Sequence, residues 1–234
     1  MARIPRRFLL SDLGTFHISW QCHNKAWLLR FPWAKELLYD LMWRYKKQYG
    51  IKIYSYCFMS SHPHFAGHCE SQVALSAYFR VVNSLFAKQV NQRLNRRGQL
   101  IMDRFFSREI QNDQHLLTTL IYIDLNPVRA RVVVHPSEYR HSSFAYYAFG
   151  HADPLIDPAP SYLALGNSPE ERQRIYREKV TEVMGDQRHK EFTQGYFIGD
   201  PSWVIARADK LKSALDSYRR RLASRQTGWR RVKL

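Results

Sequence analysis

The sequence predicts an α+β protein built around a mostly antiparallel sheet with helices on one face. The main observation is the order of its patterns over residues 14–110: strand, helix, strand, strand, helix, strand. This order describes a split β-α-β unit, the ferredoxin-like arrangement. The second observation is that 45% of the 234 residues are hydrophobic, which is enough to bury a sizeable core.

Each element of this unit has its own signal in the sequence. "GTFHISWQCHN" alternates β-branched or aromatic residues with polar ones, as a half-buried strand does. The stretch at 32–50 starts with Pro, ends with Gly and carries apolar residues at helical spacing. Asn112 or Asp113 is a suitable N-cap for the helix that follows the unit. The predicted elements are a strand at 14–24, a helix at 32–50, strands at 51–61 and 62–70, a helix at 71–99, a strand at 100–110 and a helix at 112–127.

A change in composition divides the chain. Pro154, Pro158 and Pro160 lie close together, which indicates a linker at 150–160. Two further helices are predicted beyond it, at 167–185 and 201–225. We therefore predict a main domain of residues 1–150 and a helical, basic carboxy-terminal extension of residues 151–234.

The chain is strongly basic. It has 36 Lys and Arg residues against 20 Asp and Glu residues, and its formal net charge is +16. Such a charge favours a nucleic acid partner, and a generally solvated basic surface is the alternative. Aromatic residues make up 14% of the chain, and some of them could stack on bases although most are expected in the core.

The cysteines and the hydropathy indicate a cellular compartment. Cys22, Cys57 and Cys69 are far apart, and their odd number argues against a disulfide framework and favours a reducing cytosol. No apolar run reaches the length of a membrane span, and "MARIPRRFLL" lacks the features of a secretory signal. We expect a cytoplasmic, nucleoid-associated protein that does not bind a membrane.

Two histidines in "YCFMSSHPHFAGHCE" form a candidate metal site. On a strand, His62 and His64 would project to the same face with their imidazoles a few ångströms apart. Neutral imidazole is a good ligand for divalent cations, but two ligands do not fix a metal and a third is required. The alternative is that both histidines form hydrogen bonds to the backbone or to solvent, as unligated histidines commonly do.

The helix predicted at 112–127 carries the other candidate residues. Tyr122 and Asn126 are four residues apart, so they share one face if the helix continues through Asn126. An amide oxygen could then complete the metal shell while a phenol lies beside the ion. Pro127 opposes this arrangement, because a residue before proline resists helical geometry. Taken alone, Tyr122 would be interpreted as an ordinary tyrosine of the core or of the helix surface.

Three stretches resemble one known family. "YCFMSSHPHF", "DRFFSREI" and "YIDLNPVRARVVVHPSEYRHSSFAYY" are similar to the HUH single-tyrosine transposases of the IS200-like superfamily, particularly the REP-associated tyrosine transposase branch. The likeness covers residues 14–150 and implies that this domain is catalytic. It implies that His62 and His64 bind Mg²⁺ or Mn²⁺, that Asn126 supplies a third ligand and that Tyr122 is the nucleophile.

The resemblance implies a function, with two alternatives. The implied protein is a metal-dependent single-strand DNA endonuclease and strand transferase that cleaves hairpin-associated DNA through a 5′-phosphotyrosine. The middle residue of the histidine motif is usually bulky and apolar, whereas here it is Pro63, which cannot donate a ladder hydrogen bond. This departure favours a second interpretation, a catalytically inactive DNA-binding protein that retains the transposase fold. A third is a two-histidine metal hydrolase that forms no covalent intermediate.

Basic side chains are the candidates for contacts with DNA phosphates. The tail at 219–234 is a further candidate because its charges coincide with Trp229. The expected partner is single-stranded or hairpin DNA, bound by a monomer or a homodimer. The candidate arginines are Arg3, Arg6, Arg7, Arg96, Arg97, Arg104, Arg129 and Arg131.

Overall fold

One sheet forms the centre of the molecule. The computed structural model describes residues 14–185 and 195–230. Its strands are β1 (Gly14–Ser19), β2 (Ile51–Phe58), β3 (Pro63–Cys69), β4 (Phe106–Ile110) and β5 (Phe197–Ile198). Within the described residues these five strands form a sheet in the order β2-β3-β1-β4-β5. The pairs β2–β3, β3–β1 and β1–β4 are antiparallel, and β4–β5 is parallel. The predicted α+β class and mostly antiparallel sheet are confirmed.

Helices surround this sheet. The α-helices are α1 (Pro32–Lys46), α2 (Gln72–Arg93), α3 (Asp113–Asp124), α4 (Asn126–Arg129), α5 (Phe144–Phe149), α6 (Pro160–Leu163), α7 (Pro169–Val183) and α8 (Pro201–Arg230). Short 3-10 turns lie at His23–Lys25, Leu28–Arg30, Lys47–Tyr49 and Pro136–Glu138. The predicted helices beyond residue 160 are present as α7 and α8. None of the helices in the described ranges combines the length and the apolar character needed to cross a membrane.

The two faces of the sheet have different neighbours. Successive side chains of a strand point to opposite faces. Phe65 of β3 packs against Phe79 of α2, with ring centroids 5.7 Å apart. His64, the residue before Phe65, contacts Tyr122 of α3 on the other face. The sheet therefore separates the layer of α2 from the layer of α3.

Several predicted boundaries were wrong because a strand needs a paired neighbour. β1 ends at Ser19 and not at residue 24, since the chain then turns through Asn24, whose φ is +52°. β2 ends at Phe58, where the hairpin to β3 closes, and not at residue 61. β4 begins at Phe106, because its ladder with β1 starts there, and residues 100–102 meet the segment after β1 through an isolated bridge between Cys22 and Ile101. One helix boundary was also wrong, since the helix predicted to end at residue 99 ends at Arg93.

The proline-rich segment at 150–160 is anchored to the core. It has no helix or strand before α6, as expected of a linker. Asp153 nevertheless accepts hydrogen bonds from the hydroxyls of Tyr39 and Tyr56 at 2.7 and 2.8 Å. Tyr176 of α7, beyond this segment, belongs to the same hydrophobic cluster as the sheet. The division of the chain at residue 150 stays a prediction.

The three cysteines are thiols. Cys22, Cys57 and Cys69 are all buried, and none forms a disulfide. Cys22 and Cys69 have no exposed surface and contribute to the hydrophobic core. Burial raises the pKa of Cys22 to about 11, which keeps its thiol protonated. Their role in the described structure is packing.

Candidate active site

The β2–β3 hairpin brings His62 and His64 together. Phe58 of β2 pairs with Pro63, the first residue of β3, so His62 lies just before the strand and His64 inside it. Their ring centroids are 5.0 Å apart. A proline at the first position of a strand is compatible with the ladder. Pro63 therefore leaves the two imidazoles side by side.

A third histidine, His17, joins this pair. It lies on β1, where the register pairs its second neighbour, Ser19, with His64. The His17 and His64 rings are stacked with centroids 5.3 Å apart, and His17 Nε2 lies 3.0 Å from His64 Nδ1. His17 was not among the candidate residues predicted from the sequence. The alternation of residues along β1 is visible in the sequence. The pairing of β1 with β3, which makes His17 a neighbour of His64, is not.

Tyr122 completes a cluster of four rings. It lies on α3, and its ring meets His17 and His64 edge-on with centroid distances of 5.9 and 6.0 Å. Only 4% of its surface is exposed. The structure thus brings the predicted nucleophile against the predicted metal pair, although 58 residues separate Tyr122 from His64 along the chain.

Two arginines set the electrostatics around Tyr122. Arg129 Cζ lies 5.0 Å from the centroid of the Tyr122 ring, and its Nη1 donates to the Tyr122 carbonyl at 3.0 Å. Arg108, on β4, pairs with His17 in the strand register. Burial raises the pKa of the Tyr122 phenol, and the charges of Arg129 and Arg108 oppose this rise. Arg108 was missed because its position opposite His17 depends on strand register, which is not visible in the sequence.

The imidazoles of the cluster are neutral near pH 7. Burial lowers the pKa of His62, and it lowers the pKa values of His17 and His64 well below the ordinary histidine value. The charge of Arg108 contributes in the same direction to the pKa values of His17 and His64. Neutral imidazole is the form that binds a metal.

Asn126 lies beside Tyr122 but not on the same uninterrupted helix. α3 ends at Asp124, Leu125 follows as its cap, and Asn126 opens the short helix α4 with Pro127. The Asn126 side-chain Nδ2 donates to the carbonyls of Tyr122 and Ile123 at 3.0 and 3.2 Å. Both bonds use the amide nitrogen, so the amide oxygen keeps its acceptor capacity.

The donor atoms of this cluster fit a divalent cation held by two histidines. His62 Nδ1 is bonded to Ser61 Oγ at 3.0 Å, and His64 Nδ1 is bonded to His17, so each ring has its Nε2 left for a metal. In the part of the chain that the structure describes, no group of three or more His, Cys, Asp or Glu residues could hold a metal ion. Among the described residues, a third protein ligand would therefore be of another type, such as the amide oxygen of Asn126.

A buried carboxyl group lies at the end of α3, two residues after Tyr122. Asp124 has no exposed surface, and it accepts hydrogen bonds from Tyr176 of α7 at 2.7 Å and from Ser143 at 2.8 Å. Burial raises the pKa of Asp124 to about 7, against the opposing effect of these two donors. This network attaches the end of α3 to α7, and it was not predicted from the sequence.

The remaining candidate arginines are spread over the surface. Arg97, Arg104 and Arg131 are exposed. Arg96 instead bonds to Asn91 Oδ1 at 2.8 Å and to the Gln99 carbonyl at 3.3 Å, so it stabilises the turn after α2. Arg3, Arg6 and Arg7, together with most side chains of the 219–234 tail, lie outside the described residues. Contact of these arginines with DNA stays a prediction.

Comparison with known proteins identifies the family. A family model described as "Transposase IS200 like" matches residues 11–126, a range that contains the three histidines and Tyr122. The chain belongs to this transposase family. No curated protein matches the transposase. A solved structure described as "Structure of the REP associates tyrosine transposase bound to a REP hairpin" is similar in fold, with a TM-score of 0.53 at 19% sequence identity. This match covers 67% of the present chain and 92% of the other.

Proposed function

We propose that this transposase is a metal-dependent endonuclease and strand transferase of the REP-associated branch, acting on single-stranded DNA next to a hairpin. The observation that carries the proposal is the edge-on contact of the Tyr122 ring with His64 of the histidine pair, at 6.0 Å between centroids. A nucleophile and a pair of metal-binding groups are thereby held in one cluster.

The metal site would use His62 and His64 through Nε2 and Asn126 through its amide oxygen. These nitrogen and oxygen donors suit Mg²⁺ or, better, Mn²⁺. When bound, such an ion would neutralise the charge that develops on the scissile phosphate and hold that phosphate for attack.

The covalent step belongs to Tyr122. Its phenolic oxygen gives up the proton and attacks phosphorus, the bond from phosphorus to the 3′ oxygen breaks, and that oxygen takes up a proton. The products are a 5′-phosphotyrosine and a free 3′-OH. Attack of a 3′-OH on the same phosphorus reverses the step and joins strands, because the number of phosphodiester bonds is conserved. Arg129 and Arg108 would stabilise the phenolate, in keeping with their effect on the Tyr122 pKa.

The proposed substrate rests on charge and on the structural neighbour. The net charge of +16 favours a polyanionic partner. The similar solved structure is described as bound to a REP hairpin. A hairpin with an unpaired flank would offer both a stem for the basic surface and a flexible strand for Tyr122.

One observation favours a second candidate, a DNA-binding protein that has lost cleavage. Tyr122 is only 4% exposed, and burial raises its pKa. A phenol in this state has to be uncovered before it can attack DNA. The two candidates differ in whether a covalent adduct ever forms.

The test is formation of an adduct that resists denaturation. The protein is incubated with a hairpin oligonucleotide labelled at its 3′ end and Mn²⁺, and denaturing gels are compared for wild type, Tyr122→Phe and Tyr146→Phe. We expect an adduct with wild type and Tyr146→Phe, none with Tyr122→Phe, and none after EDTA treatment. Hairpin binding without any wild-type adduct would establish the binding-only candidate. Cleavage by Tyr122→Phe would show that water or another tyrosine attacks.

A further inference from the structure

His17 contacts both His64 and Tyr122 in the candidate site. It lies on the central strand β1 with no exposed surface. Its Nε2 is 3.0 Å from His64 Nδ1, and the angle between the two ring planes is 19°. Its ring also meets Tyr122 at an interplanar angle of 73°. One buried side chain thus contacts both a predicted metal ligand and the predicted nucleophile.

The hydrogen between His17 and His64 has two alternative positions. A neutral imidazole carries one N–H, so one ring nitrogen donates and the other accepts. If His64 offers the lone pair of Nε2 to a cation, its hydrogen must be on Nδ1, where His17 Nε2 is in reach to accept it. The hydrogen of His17 is then on Nδ1, an atom that is buried without a hydrogen-bond partner among the described residues.

We infer that His17 is a positioning residue that holds His64 in the Nδ1–H tautomer and orients its Nε2 toward the divalent cation. This inference rests on the proposed metal function. Metal-binding histidines regularly donate their second N–H to an acceptor, which fixes the ring and raises its basicity. A carboxylate or a carbonyl usually fills this role, whereas here the acceptor is another imidazole.

A pair of variants of similar volume separates this role from packing. In His17→Gln, the side-chain amide oxygen can take the place of Nε2 and accept from His64. In His17→Leu, a side chain of similar volume fills the position, and the hydrogen-bond acceptor for His64 is lost. A residue that only packs would tolerate leucine better than glutamine, because the position is fully buried.

The measurement is Mn²⁺ affinity by titration calorimetry on the full chain without DNA. We expect His17→Gln to stay within about threefold of wild type and His17→Leu to lose about 10- to 100-fold in affinity. His68→Leu is the matched control, since His68 is half-buried on the same strand as His64 and its ring is bonded to Thr15 at 3.5 Å. Its Mn²⁺ affinity should equal that of wild type. Thermal unfolding confirms that each variant is folded.

A second measurement needs no variant. Long-range ¹H–¹⁵N spectra of the ¹⁵N-histidine-labelled wild type, saturated with Mg²⁺, report which nitrogen of His64 carries the hydrogen. We expect Nδ1. A hydrogen on Nε2, an unchanged Mn²⁺ affinity in folded His17→Leu, or equal losses in the glutamine and leucine variants would each overturn the role of His17. Failure of wild type to bind Mn²⁺ would overturn the proposed metal function itself.

Discussion

Tyr122 experiences two opposing influences at the level of single residues. Burial favours its neutral phenol, whereas Arg129 and Arg108 favour the phenolate. Of the two arginines, Arg129 is the better placed to influence Tyr122, because it contacts both the ring and the carbonyl oxygen of Tyr122. The reactivity of Tyr122 as the proposed nucleophile should therefore depend on the charge at position 129.

Arg129→Gln should lower the rate of DNA cleavage by at least about tenfold, because a fixed positive charge next to the developing phenolate is lost. Arg129→Lys keeps the positive charge, so its cleavage rate should fall less than that of Arg129→Gln. The matched control is Arg131→Gln, which removes an exposed charge two residues away. Single-turnover cleavage and hairpin affinity are measured for each variant. Equal rate losses in the two glutamine variants would show that Arg129 acts only as a general phosphate contact.

At the level of elements, α3 is fixed at both ends. Asn112 caps its start by accepting from the backbone N–H of His115 at 3.1 Å. Near its end, the Asp124 carboxyl group bonds to Tyr176 of α7. Because Tyr122 lies between these attachments, its position depends on a helix that follows the proline-rich segment.

Tyr176→Phe should lower the free energy of unfolding by about 1–3 kcal/mol, since a buried carboxyl group loses one of its two donors. Burial raises the pKa of Asp124 to about 7, so the loss should be larger at pH values above 7, where the carboxylate is ionised. Urea unfolding on both sides of this pKa measures the effect. Tyr45→Phe, on the partly exposed side of α1, is the control and should change stability little.

The elements also show how far sequence reasoning extends. Helix ends that depend on local chemistry were predicted well, as at Pro32 and at Gly50, whose φ is +62°. Strand ends depend on a distant partner, so the apolar pattern at 100–105 was wrongly included in β4. The same reason explains which residues of the candidate site could be predicted. His62 and His64 are close in sequence, so their proximity could be predicted, whereas His17 is joined to them only by sheet register.

For the whole molecule, burial keeps several histidines neutral. It lowers the pKa of His141 to about 4, with help from the charges of Lys35 and Arg140. An unfolded chain has ordinary histidine pKa values near 6.5, so it takes up protons first as the solution becomes acidic. The contribution of such a histidine to stability is complete above about pH 6.5 and declines as pH falls to the folded pKa. The other histidines with lowered pKa values are His17, His62, His64 and His68.

His141→Gln should reduce the acid sensitivity of folding. Asp124 has a raised pKa, so its contribution to the free energy of unfolding increases as pH falls, opposite to that of His141. The informative quantity is therefore the difference in the free energy of unfolding between variant and wild type. We expect this difference in the free energy of unfolding to shift in favour of the variant as pH is lowered from about 6.5 to about 4. Urea unfolding at several pH values measures it. A difference that does not change with pH would exclude His141 as a source of the acid sensitivity.

The β2–β3 hairpin has a consequence for the order in which activity arises during synthesis. Its contacts are short-range along the chain, and such contacts form early and quickly. The histidine pair at its turn can therefore assemble while later residues are still inside the ribosome, with His17 already outside. Tyr122 can join only after α3 has been made and docked. In a nascent chain the proposed metal pair would thus form before the proposed nucleophile joins it.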